Sequence, residues 1–255
     1  MLTALSSTKR HSLGVRLNFS ISLSYIRTSG FMRCSSDEIN LQAFYDFGKD
    51  RHYATTTLEF YKADNIGNTF AFVDIDYANR NEKGVPISPS GAYFEIARCF
   101  NFWQRSKASF LSLQVEYNGG LGTINNMQYA FGINSAFLIG TDFFLHTSDL
   151  KNTFNLKVLY KKYLGLDAKV PLQFTAVWNL TDLFTLRGLC FSGFVDVYCE
   201  GDKVVILSEP QLWYKVGQWF KLPQFNVGGE VELAYNFAGL SGFEVRPCVG
   251  IKWVF

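Results

Sequence analysis

Two short stretches of the sequence bring chemically active residue types close together. His146-Thr147-Ser148-Asp149 sets an imidazole, a hydroxyl and a carboxylate within one short run, the residue types of nucleophilic acyl transfer. On a strand, residues i and i+2 lie about 7 Å apart at a rise of about 3.3 Å per residue, too far for a direct proton relay. The expectation is therefore no enzyme. Asp74 and Asp76 pair two carboxylates, as general acid–base catalysis does, but alternation along a strand explains the same spacing. The cysteines at 34, 99, 190, 199 and 248 form no CxxC pair, and with the histidines at 11, 52 and 146 they offer no metal-ligand spacing, so no metal or other cofactor is expected. A disulfide joining Cys190 to Cys199 across a hairpin end stays open. The Gly-Gly pairs beginning at 119 and 228 fit turns or strand bends, because no helix follows to make a phosphate loop.

The elements that must carry these residues are strands. In residues 242–255, GFEVRPCVGIKWVF, Phe243, Val245, Pro247, Val249, Ile251, Trp253 and Phe255 fall on one side, and Glu244, Arg246, Cys248, Gly250, Lys252 and Val254 on the other. One face meets something apolar and the other something wet. The pattern recurs near 38–47, 53–61, 68–78, 92–103, 108–118, 129–146, 153–162, 171–180, 187–198, 204–216 and 224–237, which with the terminal segment predicts twelve strands. In the fourth, Glu95 and Arg98 have opposite parity, which implies a bulge or a rim position.

Aromatic residues make up 17% of the chain and charged residues 18%, below the roughly 25% of soluble proteins. No run of about 18 apolar residues occurs, so a membrane-spanning helix is excluded. An aromatic-rich, charge-poor chain of alternating strands fits an all-β fold, an antiparallel transmembrane β-barrel with an apolar outside and a polar lumen. A net charge of +2 provides no basic stripe, which argues against nucleic acid as a partner. Aromatics near the strand ends (Tyr45, Phe47, Tyr53, Tyr61, Tyr117, Tyr160, Trp178, Tyr214, Tyr235, Phe237, Trp253, Phe255) predict two interfacial girdles. The connections expected at 48–52, 79–91, 119–128 and 163–170 form one end, with longer loops, and those at 62–67, 104–107, 147–152 and 181–186 form the other, periplasmic end. Pairing of the last strand with the first closes the sheet and leaves no edge.

With the polar faces turned inward, the expected solute pathway is lined by Glu59, Asp74, Asp76, Glu95, Glu116, Glu209, Glu230 and Glu232 against Lys157, Lys161, Lys215, Arg246 and Lys252, with Phe72, Phe194 and Trp213 as inward aromatics. Such charges require a wet or fully paired interior. Arg246 is expected diagonally across from Glu232 if the last hairpin turns near 239–241. The arrangement reads as a transverse field orienting a polar solute, or as a plug of salt bridges filling a narrow barrel.

YDFG (45–48), TTLEFYKADNIGNTFAFVDIDY (56–77), VEYNGG (115–120), FSGFVDVY (191–198), SEPQLWY (208–214) and VGGEVELAYNF (227–237) resemble an uncharacterised outer-membrane β-barrel family of Bacteroides-type bacteria. That family is distantly similar to nucleoside-specific, Tsx-type channels, which implies a twelve-stranded monomeric barrel with a narrow pore and nucleosides as solutes. The terminal Phe255 resembles the signature read by the barrel-assembly machinery, which would make that machinery a partner beside the lipid bilayer. His146 and Ser148 superficially resemble the site of the outer-membrane phospholipase, but Asp149 lacks the Asn-Gly context of that enzyme.

Residues 1–36, basic and serine-rich with Arg16 and Arg27 interrupting any apolar centre, form an atypical signal-like segment, expected to be removed or disordered, and 37–255 a single barrel domain. The expectation is a channel in the cell outer membrane for passive diffusion of small polar solutes. A non-conducting barrel using loops 79–91 and 119–128 as a contact surface, and a soluble lipocalin-like binding barrel, are the alternatives.

Overall fold

The computed structural model describes residues 38–49, 51–81, 83–124 and 128–255; the signal-like segment, with Cys34 and His11, lies outside the described residues. The chain folds into β1 (Glu38–Asp46), β2 (Ala54–Asp64), β3 (Gly67–Tyr77), β4 (Asn79–Arg80), β5 (Pro86–Ser88), β6 (Gly91–Phe100), β7 (Leu111–Ile124), β8 (Tyr129–His146), β9 (Asn152–Tyr163), β10 (Leu172–Thr181), β11 (Leu189–Glu200), β12 (Lys203–Ser208), β13 (Gln211–Tyr214), β14 (Phe225–Tyr235) and β15 (Phe243–Val254). β4 and β5 make a small ribbon within one connection. The other strands form one antiparallel sheet in which each pairs with its sequence neighbour and β15 returns to β1, from Asn40↔Val254 to Asp46↔Cys248. β12 and β13 keep one register on β11 and on β14, so they are two halves of a single strand interrupted at Glu209–Pro210, where proline has no N–H to donate. The barrel is therefore closed and twelve-stranded, as the periodicity predicts.

The facing follows the alternation. Leu58, Ile96, Ile139, Val249 and Ile251 point outward and form an aliphatic belt, with Val249 56% exposed. Aromatics border it on both sides. Towards one end Phe94, Tyr117 and Phe137 touch in series, with centroids 5.8 and 4.7 Å apart. Towards the other, Phe154 pairs in register with Trp178, and Tyr214 packs on Trp219 at 5.4 Å. An apolar belt between aromatic girdles is the outer surface of a barrel solvated by lipid, the reverse of a soluble binding barrel. Tyr53 and Tyr61, expected in the girdles, face the lumen side instead. Phe237 packs against the buried cluster of Ala136, Leu138, Leu159, Tyr163, Tyr198 and Val205.

Turn chemistry sets the hairpins. The tight β2–β3 turn is closed by Ile66 N–H donating to Asp64 Oδ1 at 2.9 Å. At Gly67, φ is +152°, and a Cβ would lie 1.9 Å from the Cys99 carbonyl oxygen, so only glycine fits. Arg98 sits on the rim, with Nη1 2.8 Å from Asp64 Oδ2, which resolves its parity conflict with Glu95 without a bulge.

The expected connections shift in three places. The loop expected at 119–128 is mostly strand: after a register shift between Asn118 and Gly120, β7 stays paired with β6 up to Gly122 and with β8 up to Ile124↔Tyr129, so that β8 runs beyond its last pair with β9 at Ala136↔Tyr163. The turn expected at 104–107 widens to 101–110, and the last hairpin bends over 236–242. As a result the loop-length asymmetry disappears. Connections 101–110 and 215–224 at one end match most of those at 47–53, 78–90, 125–128, 164–171, 201–202 and 236–242 at the other. Both ends of the barrel sequence, Glu38 and Phe255, lie at the end bearing 101–110 and 215–224, where Phe255 N–H donates to the Ile39 carbonyl at 2.8 Å.

Cys190 and Cys199 lie near opposite ends of the continuous strand β11 and are free thiols. A disulfide between them is thereby removed, because the hairpin end it needed falls at 201–202.

Candidate functional site: the charged lumen

Every expected lumen residue except one faces inward, and they divide into packed and accessible sets. Lys215 is the exception: it lies exposed in the turn that follows β13. The remaining residues lie at three levels, counted from the β1–β2 loop downward.

At the loop end, Arg51 reaches inward from the 47–53 connection. Its guanidinium lies 3.2 Å from Asp46 Oδ2 and 2.9 Å from Glu232 Oε2. Arg246 pairs with the same Glu232, its register neighbour, directly opposite rather than diagonal, and is 1% exposed. The connection is held there because Gly48 N–H donates to Asp46 Oδ1 at 2.6 Å, and a Cβ at Gly48 would lie 2.8 Å from Arg246 Cγ. Burial opposes the Arg51 charge, but Glu232, Tyr53 and Asp46 outweigh it and hold its pKa above the ordinary arginine value. Burial, reinforced by Asp76, pushes the neighbouring Tyr53 phenol up. On the other half of this mouth Leu166, Ala168 and Phe237 fold in over Tyr163, Tyr198 and Val205. The mouth thus has an ionic half and an apolar half.

Midway down the barrel the side chains are half-buried rather than packed: Asp74, Glu95, Glu116, Lys157, Asp196, Glu209 and Glu230 all retain accessible surface inside the wall. Hydroxyls and amides position them. Thr57 Oγ1 donates to Asp74 at 2.5 Å, Thr55 to Asp76 at 2.7 Å, Thr175 to Asp196 at 2.5 Å, Tyr93 to Glu95 at 2.7 Å, and Gln211 Nε2 to Glu230 at 2.8 Å. Glu209 feels the charges of Glu230 and Asp74, and Glu95 those of Glu116 and Asp196, so two groups of carboxylates repel across the interior. Lys157 is the base at this level, facing Asp142 and Glu116. Lys161, just above it, is occupied: Nζ donates to Gln173 at 2.8 Å and lies 3.6 Å from the Tyr198 ring centroid. Instead of a transverse field between opposed walls, the structure gives an acid-rich band in which most bases are already paired or stacked. Sequence reasoning left out Asp196 and Tyr93; the i, i+2 parity with Phe194 and Glu95 carries the signal for both.

Near the other end Trp213 fills the lumen. It is 1% exposed, lies 5.5 Å from the Phe44 ring and is capped by Lys252 Nζ at 4.4 Å. Two inward glycines make the room: a Cβ at Gly228 would meet Trp213 Cε3 at 2.7 Å, and one at Gly250 would meet Phe44 Cδ1 at 2.6 Å. Glu59 accepts from Asn40 and Gln42, each at 3.3 Å. Trp213 is therefore a wall of the constriction rather than a sliding surface. Phe72, between Phe70 at 5.9 Å and Tyr93 at 6.1 Å, belongs to the ladder that borders the acids.

The His146–Asp149 stretch builds a turn. His146 Nδ1 lies 2.8 Å from the Thr147 carbonyl oxygen, and Thr147 Oγ1 donates to Asp149 Oδ1 at 2.6 Å. With the Lys151 N–H, that hydroxyl holds the Asp149 carboxyl below its usual range. Both groups are engaged in the local chain reversal. Among the described residues no cluster of His, Cys, Asp and Glu is arranged to hold a metal ion.

One protein family, described as a domain of unknown function (DUF5020), matches residues 39–255. The chain belongs to the DUF5020 family. No curated protein matches it. Among solved structures, the DUF5020 barrel is similar to outer membrane phospholipase A from Escherichia coli, at 12% identity and a TM-score of 0.51, over 86% of this chain and 96% of that one. An engineered Rhodopseudomonas blastica porin aligns at 9% identity and a TM-score of 0.36, over 86% and 99%. At such identities the likeness to the phospholipase is one of fold, that of an outer-membrane barrel.

Proposed function

We propose that this DUF5020 barrel is a monomeric channel of the outer membrane that passes small polar solutes by diffusion and favours cations over anions. The observation that carries the reading is the half-buried acid band: carboxylates that keep accessible surface inside a closed wall require water there, since burying unpaired charges is prohibitive. Because acids outnumber bases at that level, the potential is negative where the pathway is wet. Nucleosides, implied by the resemblance to Tsx-type channels, remain the finer proposal; the Phe70–Phe72–Tyr93 ladder supplies surfaces for a flat ring beside acceptors. Assembly through β15, ending at Phe255, by the barrel-assembly machinery belongs to the same reading, as does the absence of covalent chemistry. The test is the reversal potential across planar bilayers under a salt gradient: a cation-selective current is expected, and an anion-selective current would overturn the reading.

A second reading, a non-conducting barrel, is favoured by the packed ends, where Arg51, Arg246 and Glu232 close one mouth and Trp213 narrows the other. Single-channel recording separates the two, because the second predicts no unitary steps.

A further inference from the structure

Two of the turns at the end of the barrel that carries Glu38 and Phe255 combine exposed aromatics with bases and no acid, unlike their neighbours, where Asp64 and Asp182 pair with Arg98 and Lys151 and Asp149 is held in its own turn. Connection 101–110, NFWQRSKASF, exposes Phe102 (67%) with Arg105 and Lys107 and contains no acid. Connection 215–224, KVGQWFKLPQ, exposes Trp219 (64%) and Phe220 (69%) beside Lys221, again with no acid. In soluble surroundings, large apolar side chains displayed next to unpaired bases would be an aggregation liability. Here they continue the aromatic girdle. Phe102 stacks on the outward Phe100 at 5.9 Å and Phe110 on the outward Phe143 at 6.3 Å, and Trp219 lies tilted against Tyr214 at 5.4 Å.

The second connection is also built to hold its display. Phe220 and Leu222 N–H groups both donate to the Gly217 carbonyl, at 3.0 and 2.8 Å, and a Cβ at Gly217 would lie 1.7 Å from the Leu222 carbonyl oxygen. Lys221 is fixed between two exposed apolar residues at φ +59°, a left-handed conformation that a non-glycine residue adopts only under strain. No ion pair among the described residues engages Arg105, Lys107 or Lys221. On the same rim the buried Trp178 Nε1 donor has no acceptor among the described residues.

We propose that this end is a binding rim for anionic phospholipid, with Arg105, Lys107 and Lys221 on headgroup phosphates and Phe102, Trp219 and Phe220 at the glycerol–acyl boundary. Charge complementarity and continuity with the lipid-facing girdle select a lipid surface over a protein partner. The inference rests on the reading that the barrel spans a bilayer and adds its orientation, because the phospholipid leaflet of an outer membrane is the periplasmic one. Both ends of the barrel sequence emerge on that side, so each hairpin crosses as a unit.

The test uses the full chain, purified in detergent and reconstituted in nanodiscs of phosphatidylcholine alone, with phosphatidylglycerol or with lipid A, and reads retained lipid by native mass spectrometry. Retention of phosphatidylglycerol is expected to exceed that of phosphatidylcholine, and the R105Q/K107Q/K221Q variant should lose about tenfold of that preference while keeping heat-modifiable migration on gels. Equal retention of the two lipids, an unchanged preference in the variant, or tighter retention of lipid A than of phosphatidylglycerol through the same three residues would overturn the proposal. Loss of heat-modifiable migration in the unaltered chain would instead remove the bilayer-spanning reading beneath it.

Discussion

At the residue scale the interior separates side chains that fill space from side chains that set potential. Glu230 does the second: it is half-buried, its carboxylate accepts from Gln211, and among the described residues no basic side chain forms an ion pair with it. Glu230→Gln keeps the shape and the hydrogen-bonding capacity while removing one charge from the acid band. Cation selectivity, read as the reversal potential, should fall while heat-modifiable migration stays intact. Glu232 is the wrong residue for this measurement, because it also holds Arg51 and Arg246, and truncating one member of a buried ion pair strands the others. Trp213 does the first. Trp213→Ala removes the ring between Phe44 and Lys252, and if the pore conducts, its unitary conductance should rise because Gly228 and Gly250 contribute no side chain to refill the space. The same change should lower unfolding stability in urea by about 3 kcal/mol, the range seen when a large buried aromatic is truncated.

At the element scale, what the sequence showed and what it hid have different physical origins. Facing was legible for the strands as units, since a one-residue slip would carry all of Val249, Ile251 and Trp253 into water and Arg246 and Lys252 into lipid; it was misread at Tyr61, where an aromatic type was read as girdle although it shares the inward parity of Glu59. Strand ends were not legible, because past the membrane belt nothing penalises a polar residue on either face; β7 and β8 therefore continue where Gly119, Gly120 and Gly122 read as a loop. The interior was legible as a set of charges but not as a set of pairs. Arg51 lies outside every periodic segment and still closes the ionic half of the mouth, from a loop whose inward fold depends on Gly48 and Asp46. This connection carries its own prediction. Arg51→Ala leaves Arg246 on Glu232 and the Gly48 N–H on Asp46, so the latch is released while Asp46 loses its ion partner and keeps a hydrogen bond. Open probability should rise in single-channel records, and raising salt should reproduce part of that rise in the unaltered chain by screening Arg51 from Asp46 and Glu232. Equal open probability in the variant at low salt would show that the apolar half, around Phe237 and Tyr163, closes the mouth alone.

At the scale of the whole molecule, one sheet has two solvents, and the closed register forces the division. Each strand contributes an outward row that only hydrocarbon tolerates at this density and an inward row that only water or a partner tolerates, and closure through β1 and β15 leaves no edge at which the two could exchange. A charge placed on the outward row therefore tests the architecture more directly than any lumen substitution. Val249 is 56% exposed on the outer face, between Pro247 and Ile251 and well inside the girdles. Val249→Arg should cost about 2–4 kcal/mol at the bilayer midplane, whereas the same arginine at Phe243, near the rim, should cost about 1 kcal/mol or less. Urea titration of the barrel in phosphatidylcholine vesicles, followed by heat-modifiable migration, reads both values. The depth dependence is the informative quantity: a soluble barrel would tolerate arginine equally at the two exposed sites, and only a hydrocarbon belt separates them.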